Sequence, residues 1–338
     1  MRAYGRRKVL ALAAGVLAAV TACTGNGQPA PTRSAVAASA SPSPTLPPPA
    51  VTRAEAAEVF DEITVTDDTL RVKSDLQGRL ALALDLTTGG QTPLTVAAYL
   101  STGGAPPRYR WGAPTLFVPR FGQAERAPWF SALATRNGRP TLLTFAKSDR
   151  WRLSSAAQLL PGQELPKIKL DADGYAAAVA PDDKTVTISP QFMGPVHASV
   201  AETGSAGVTA GLIAGGPYTT EVAEQIATDR GTAKDGGLGY DSIFSADNWP
   251  VYALRTENGG ALIQYSLSRN TSTKNMTDKS YIIPVPEEAG WAMTDSTVRL
   301  SLKLTEVHQY ATAVPPLTAP AAAAVIAHDG ALTRASGD

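Results

Sequence analysis

Beyond residue 50 the hydrophobic positions fall into short periods that change character along the chain. Thr52-x-x-Glu55 forms a capping box ahead of Ala54, Ala57, Val59 and Phe60, and predicts a helix to about Asp61. Leu76, Leu80 and Leu84 fit a second helix over 76–86, although Leu80, Leu82, Leu84 and Leu86 also alternate as a strand would. Thr92-Pro93 then supplies an N-cap and a proline at the first helical position, before Leu94, Val96, Ala97 and Leu100. From Arg108 the period shortens, with β-type runs expected at 108–111, 115–118, 129–135, 141–146 and 151–154. Asn137-Gly138 reads as a tight hairpin turn, because both residues tolerate positive φ.

The second half repeats that order. Ser189-Pro190 and Gly194-Pro195 precede a helix around 196–201, and Thr219-Thr220 caps another carrying Val222, Ala223 and Ile226. Strands are expected at 251–256, 261–267, 281–285 and 297–307, the last with Val298, Leu300, Leu302 and Leu304 on one face. Trp129–Gly138 and Trp249–Gly259 also echo one another, through Ala132/Ala253, Leu133/Leu254, Thr135/Thr256, Asn137/Asn258 and Gly138/Gly259. Helices followed by a hairpin, twice over, predict an α+β fold of two tandem domains, 51–165 and 166–310. Each is expected to pack helices on its own curved, cone-like antiparallel sheet, with the boundary near Pro161-Gly162 and Pro166. Residues 311–338 read as an Ala/Pro-rich tail, frayed or with one short helix over 320–327.

Composition changes the picture at the N-terminus. Arg2, Arg6, Arg7 and Lys8 precede an uncharged apolar run, Val9–Val20. That run is shorter than the about 20 residues a membrane-spanning helix needs. Val20-Thr21-Ala22-Cys23 closes it with the only cysteine of the chain, which excludes a disulfide scaffold. The order of charge, apolar run, small residues and Cys resembles the bacterial lipobox. The resemblance implies a signal peptide at 1–22, cleavage before Cys23 and a diacylglyceryl group on its thiol. It places the protein on the outer face of the cytoplasmic membrane, attached to that membrane through Cys23. Arg6-Arg7 leaves the general secretory and twin-arginine routes both open. After Cys23, the Gly, Ser, Ala, Thr and Pro of 24–50 bury too little surface to order themselves, and 23–50 reads as a lipidated, disordered tether.

The chain carries 30 basic and 30 acidic residues, and loss of the four basic ones in the signal peptide leaves 26 against 30, an acidic body. Nucleic-acid binding, which depends on clustered cations, is not expected. No Ser has Gly at both the −2 and +2 positions, and HExxH, CxxC and P-loop patterns do not occur, so neither a catalytic set nor a cofactor is expected. Gly236-Gly237-Leu238-Gly239 reads as a flexible loop. His197, His308 and His328 could bind a metal only if the tail folded back, so no metal is expected. Asp171-x-Asp173-Gly174 has its glycine at the fourth position of a calcium loop, not the sixth, and Asp182 where the closing glutamate would stand, so it reads as an acidic turn. Asp67-Asp68 and Asp182-Asp183 read as solvated turns. Tyr109 and Trp111 share a face if their run is a strand. With His197 they form a guessed ligand pocket for a sugar ring or an apolar molecule, set against plain core packing.

Lipobox, tether, the opening TRAEAAEVF (52–60), WGAPTLFVPRF (111–121) followed by Trp129, and GPVHASV (194–200) together resemble a family of uncharacterised actinobacterial secreted lipoproteins. In element order alone, each half resembles the nuclear-transport-factor-2-like cone. The family resemblance implies an address more than an activity, and the anchor and tether, combined with no assembled catalytic set, point to a non-enzymatic binding or scaffold module outside the membrane that meets an envelope protein or small ligand. The other reading is a small-ligand carrier or enzyme using a cone-shaped pocket.

Overall fold

The computed structural model describes residues 48–72, 76–277, 282–293 and 297–338. Cys23, the apolar run and the tether lie outside the described residues. Helix α1 (Arg53–Leu70) starts at the capping box, with the Glu55 N–H donating to Thr52 Oγ1 at 3.0 Å. It continues past Asp61 because Ile63, Thr64 and Leu70 prolong the buried stripe of Ala56, Val59 and Phe60. Packing here overrides the weak helix propensity of the Thr/Val run. After α2 (Leu76–Asp85), α3 (Gln91–Ser101) begins one residue before Thr92, with Gly90 as its N-cap. A Cβ on Gly90 would stand 2.3 Å from Ser266 Oγ, so glycine is required where this helix start meets the sheet.

An antiparallel meander follows: β1 (Thr115–Phe117), β2 (Trp129–Arg136), β3 (Arg139–Lys147) and β4 (Trp151–Leu159). The second half holds α4 (Pro190–Thr203), α5 (Thr220–Asp235), β5 (Leu238–Ser245), β6 (Tyr252–Arg255), β7 (Ala261–Asn275), β8 (Ser301–Val314) and β9 (Ala324–Gly337). The architecture is α+β. Among the described residues, all nine strands belong to one sheet, in the order β1-β2-β3-β4-β9-β8-β7-β5 with β6 on β7. The echoing segments form two hairpins, β2–β3 and β6–β7. Asn137 and Gly138 turn the first at φ 52° and 82°, and in the second Gly259 has φ 86°.

Several expectations are corrected. The Ala/Pro-rich tail is neither frayed nor helical in its last part, because Ala324–Gly337 is β9, inserted between β4 and β8. Its small side chains carry little strand propensity, and the two neighbouring ladders make it a strand. A separate curved sheet in each half is not formed, since β9 bonds β4 through Gln158↔His328 and Leu159↔Ala327 and so joins both halves. The run expected as a flexible glycine loop contributes the first residues of β5, after a turn at Gly237. Residues 108–111 are extended but outside the ladders, apart from one bridge between Trp111 and Arg136. Around 283 only an isolated bridge from Ile283 to Val298 forms, and Tyr281 lies outside the described residues.

The sheet curls so that β6 and β7 meet β2, β3 and β4. Gln264 of β7 donates to Ser131 Oγ of β2 at 2.7 Å and accepts from Thr144 of β3, while Tyr252 Oη donates to Ser154 Oγ at 3.0 Å. Bulges at Thr144/Phe145, Thr305/Glu306 and Ala311/Thr312 add the bending this requires. Phe117, Leu142, Leu159, Leu254, Leu262 and Ile326 fill the interior of the curl. Two further cores lie under the helices. One packs Phe60 and Ile63 of α1 on Phe130, Leu143 and Phe145. The other packs Met193 of α4 and Ile226 of α5 on Phe244, Ile263, Tyr265 and Tyr310.

Candidate functional site

The segment 106–111 is held straight before β1. Pro106-Pro107 exclude helix there, and Pro107 O accepts from Arg71 Nη1 at 3.1 Å. Asn137 then clamps the strand-like stretch to the first hairpin: its Oδ1 accepts from the Arg110 N–H at 2.8 Å, and its own N–H donates to Arg110 O at 2.9 Å. Tyr109 and Trp111 are thereby fixed edge to face, 5.9 Å apart. They line a cleft of about 140 Å³ with Asp67 and Arg71 from the end of α1, Gln91 from α3, Arg136 from β2 and Asp329 from β9.

Charge in this cleft is balanced pair by pair. Arg71 Nε donates to Asp67 Oδ2 at 2.7 Å, and Arg136 Nη2 donates to Asp329 Oδ2 at 2.6 Å. The two guanidinium carbons stand 4.2 and 5.0 Å from the centre of the Tyr109 ring, so Tyr109 meets both cations through its π face. Burial alone would lower the Arg71 pKa, but the Asp67 carboxylate, with Tyr109 and Tyr99, outweighs it and the pKa is raised. Arg71 therefore stays charged although only 6% exposed.

Two polar atoms of lining residues are left over. Trp111 Nε1, a donor, and Gln91 Oε1, an acceptor, are buried and have no partner among the described residues. Each such group costs about 1–3 kcal/mol when unpaired. A ligand that offers one acceptor and one donor would recover both.

His197 is not in this cleft. It is fully buried on α4, in the core beneath α4 and α5. Its Nε2 lies 2.7 Å from Tyr218 O, which can only accept, so Nε2 carries the proton and Nδ1 accepts from Tyr265 Oη at 2.6 Å. Thr312 Oγ1, 2.9 Å away, then donates to the Tyr265 oxygen. Burial lowers the His197 pKa to about 4, against the opposing pull of the Tyr218 carbonyl. With both nitrogens committed, the ring is a packed structural group, and the guessed pocket reduces to Tyr109 and Trp111.

Strand β9 folds the chain end back and places His328 Nε2 3.0 Å from His308 Nδ1. His328 stacks on Tyr218 at 4.0 Å, and Tyr310 lies 4.3 Å from the His197 ring and 5.0 Å from that of His328. The three histidines thus gather as a stack around Tyr310, while no group of three metal-ligating side chains forms among the described residues. Burial lowers the pKa of His308 to about 3 and that of His328 to about 4.

The acidic motifs are structural. Asp171 and Asp173 both hold Arg120, each at 2.6 Å. Asp67 and Asp68 lie in the last turn of α1, not in a solvated turn, and pair with Arg71 and Arg108. Asp183 pairs with Arg255. Of the cleft residues missed in the sequence, Asp67 and Arg71 had a legible signal, their i,i+4 spacing on a helix. Arg136 and Asp329, 193 positions apart, had none.

Residues 47–337 match the family described as Domain of unknown function (DUF8094). An uncharacterized lipoprotein of Streptomyces coelicolor is 29% identical over 338 residues, covering 94% of this chain and 91% of the relative. A second from the same organism is 27% identical over 273 residues, 76% and 78% of the two chains. An uncharacterized lipoprotein of Streptomyces avermitilis is 30% identical over 144 residues, 40% of each. No solved structure matches.

Proposed function

The chain belongs to the DUF8094 family, and on that premise we propose that it is an exported lipoprotein held at the outer face of the cytoplasmic membrane through Cys23. There its folded body acts as a non-enzymatic binding module, with the cleft of Tyr109 and Trp111 as its ligand site. The anchor rests on the lipobox order around Cys23 and on the lipoprotein names of the relatives. Among the described residues, no helix is long and apolar enough to cross a membrane.

The observation that carries the binding role is the unpaired donor and acceptor, Trp111 Nε1 and Gln91 Oε1, beside two internally neutralised Arg–Asp pairs. Such a lining favours a small ligand without net charge, which accepts from the indole and donates to the amide. At about 140 Å³ the cleft is well below the about 300 Å³ of a drug-sized pocket, so it suits a compact molecule or the end group of a larger envelope component. Binding is favoured over catalysis because both carboxylates of the cleft are engaged by arginines and neither is free to act as a base.

Native mass spectrometry of residues 51–338, purified gently from an actinobacterial host, tests the site. A bound small mass is expected in the wild type and should be lost in Trp111→Phe, which removes the indole N–H and keeps an aromatic ring. A clean apo mass in the wild type, or an unchanged bound mass in the variant, would refute the assignment. For the anchor, Cys23→Ala should move the full chain from the detergent phase to the aqueous phase on partitioning. Undiminished detergent partitioning would refute the lipid attachment.

A further inference from the structure

A second feature lies on the outer part of the sheet, away from the cleft. Phe244 of β5 packs in the core with Ile226 of α5, so its neighbour Ile243, 52% exposed, belongs to the opposite face. On that face the register sets Lys274 opposite Ser301, then Ser272, Lys303 and Ser336 in one row, then Asn270, Thr305 and Arg334 in the next. Lys274, Lys303 and Arg334 therefore form a diagonal, one cation on each of three neighbouring strands. Strands about 4.8 Å apart and two-residue steps of about 6.7 Å put successive Cα positions about 8 Å apart.

These residues line a groove of about 590 Å³. All three cations are exposed, and none has an ion-pair partner among the described residues. Asp241, the one acid of the lining, is taken by Arg230 of α5 at 3.0 Å. Three unopposed cations on adjoining strands repel one another, in a body with an excess of acid. A bound polyanion would relieve that repulsion.

We propose that this groove binds a linear phosphodiester chain, with successive phosphates at Lys274, Lys303 and Arg334. In a three-carbon polyol phosphate, the extended P–O–C–C–C–O–P path spans about the same distance as the step between the cations. Ser272 and Ser336 supply hydroxyl donors in the row of Lys303, and a tetrahedral phosphate can accept from such donors and from the cations together. Ile243, on the same face, gives the carbon linkers an apolar contact. A single anion would use one cation of the diagonal, whereas a chain uses all three.

The test titrates a synthetic poly(glycerol phosphate) oligomer into the full chain in nonionic detergent at low salt. Binding should weaken as salt rises, and Lys303→Glu, at the centre of the diagonal, should reduce affinity about tenfold or more. Lys274→Gln and Arg334→Gln should each reduce it about threefold or more. Lys167→Glu, an exposed charge outside the groove, should leave it unchanged. The proposal is overturned by absent binding, by equal weakening in Lys167→Glu, by inorganic phosphate binding as tightly as the oligomer, or by polygalacturonate doing so. Unchanged melting temperatures in these surface variants would keep affinity separate from folding.

Discussion

Around Tyr109 and around His197 the protein builds two aromatic, polar clusters from similar side chains, and they end in opposite states. In the cluster around His197 every nitrogen of that ring is committed, to Tyr265 and to the Tyr218 carbonyl, and the ring is sealed among Tyr265 and Tyr310. Around Tyr109 the charges are paired, but an indole donor and an amide acceptor stay unmatched beside a cleft. The contrast teaches that a histidine amid tyrosines is no better a sign of a site than an unpaired tryptophan N–H. Saturated partners, more than residue type, mark His197 as core, while His308 Nε2 in the same stack is itself buried without a partner among the described residues.

The largest expected effect comes from opening the sealed cluster. Tyr310→Ala removes a fully buried ring between three histidines and should cost about 3–5 kcal/mol, read as the shift of a denaturant midpoint. His197→Ala, which strands the Tyr265 hydroxyl and the Tyr218 carbonyl, should cost about 2–4 kcal/mol while the cleft keeps its ligand. Loss of the ligand in His197→Ala at unchanged stability would invert the comparison.

Next comes pH. His197, His308 and His328 have pKa values lowered by burial to about 4, 3 and 4, below the 6.5 they regain on unfolding. The folded state therefore refuses protons that the unfolded state takes up, and the stability from these neutral rings is complete above about pH 6.5. It is lost as pH falls through the interval toward the folded values. A melting temperature lower by about 10 °C at pH 4.5 than at pH 7 is expected. The double variant His308→Gln with His328→Gln should flatten that slope. Carboxylates such as Asp171, lowered chiefly by its hydrogen bond from Arg120, lose their contribution only below their ordinary range and do not mimic this interval.

The smallest effect concerns the clamp that shapes the cleft. Asn137→Ala places alanine at φ 52° and removes the acceptor for the Arg110 N–H, so it should cost about 1–2 kcal/mol. It should also loosen the Tyr109–Trp111 segment and weaken the ligand about threefold, readable in the same bound mass. An unchanged affinity would mean that the cleft does not depend on the clamp.

Much of the local fold was legible before the structure. The β2–β3 hairpin followed from Asn137-Gly138, the start of α1 from its capping box, and the two echoing hairpins from matched residues. Of the cleft, Tyr109 and Trp111 were visible as an i,i+2 aromatic pair. Its charged half was not, since Arg136 and Asp329 meet only because β9 lies within the sheet. The Ala-rich sequence of β9 carries no strong strand signal, and its misreading as a tail carried the two-sheet expectation with it.

Sequence alone therefore determined what short-range chemistry controls: turn positions, helix starts, the alternation of β8 and the order of charge, apolar run and Cys23 at the N-terminus. Only the tertiary structure decided which distant groups share an environment. It sealed His197, matched Arg136 to Asp329, drew the cations of β7, β8 and β9 into one diagonal, and left Trp111 Nε1 without a hydrogen-bond partner among the described residues. The physical reason is that propensity and capping act over a few residues of chain. Burial and pairing depend on strand order, and the β4–β9 pairing joins the two halves into one sheet.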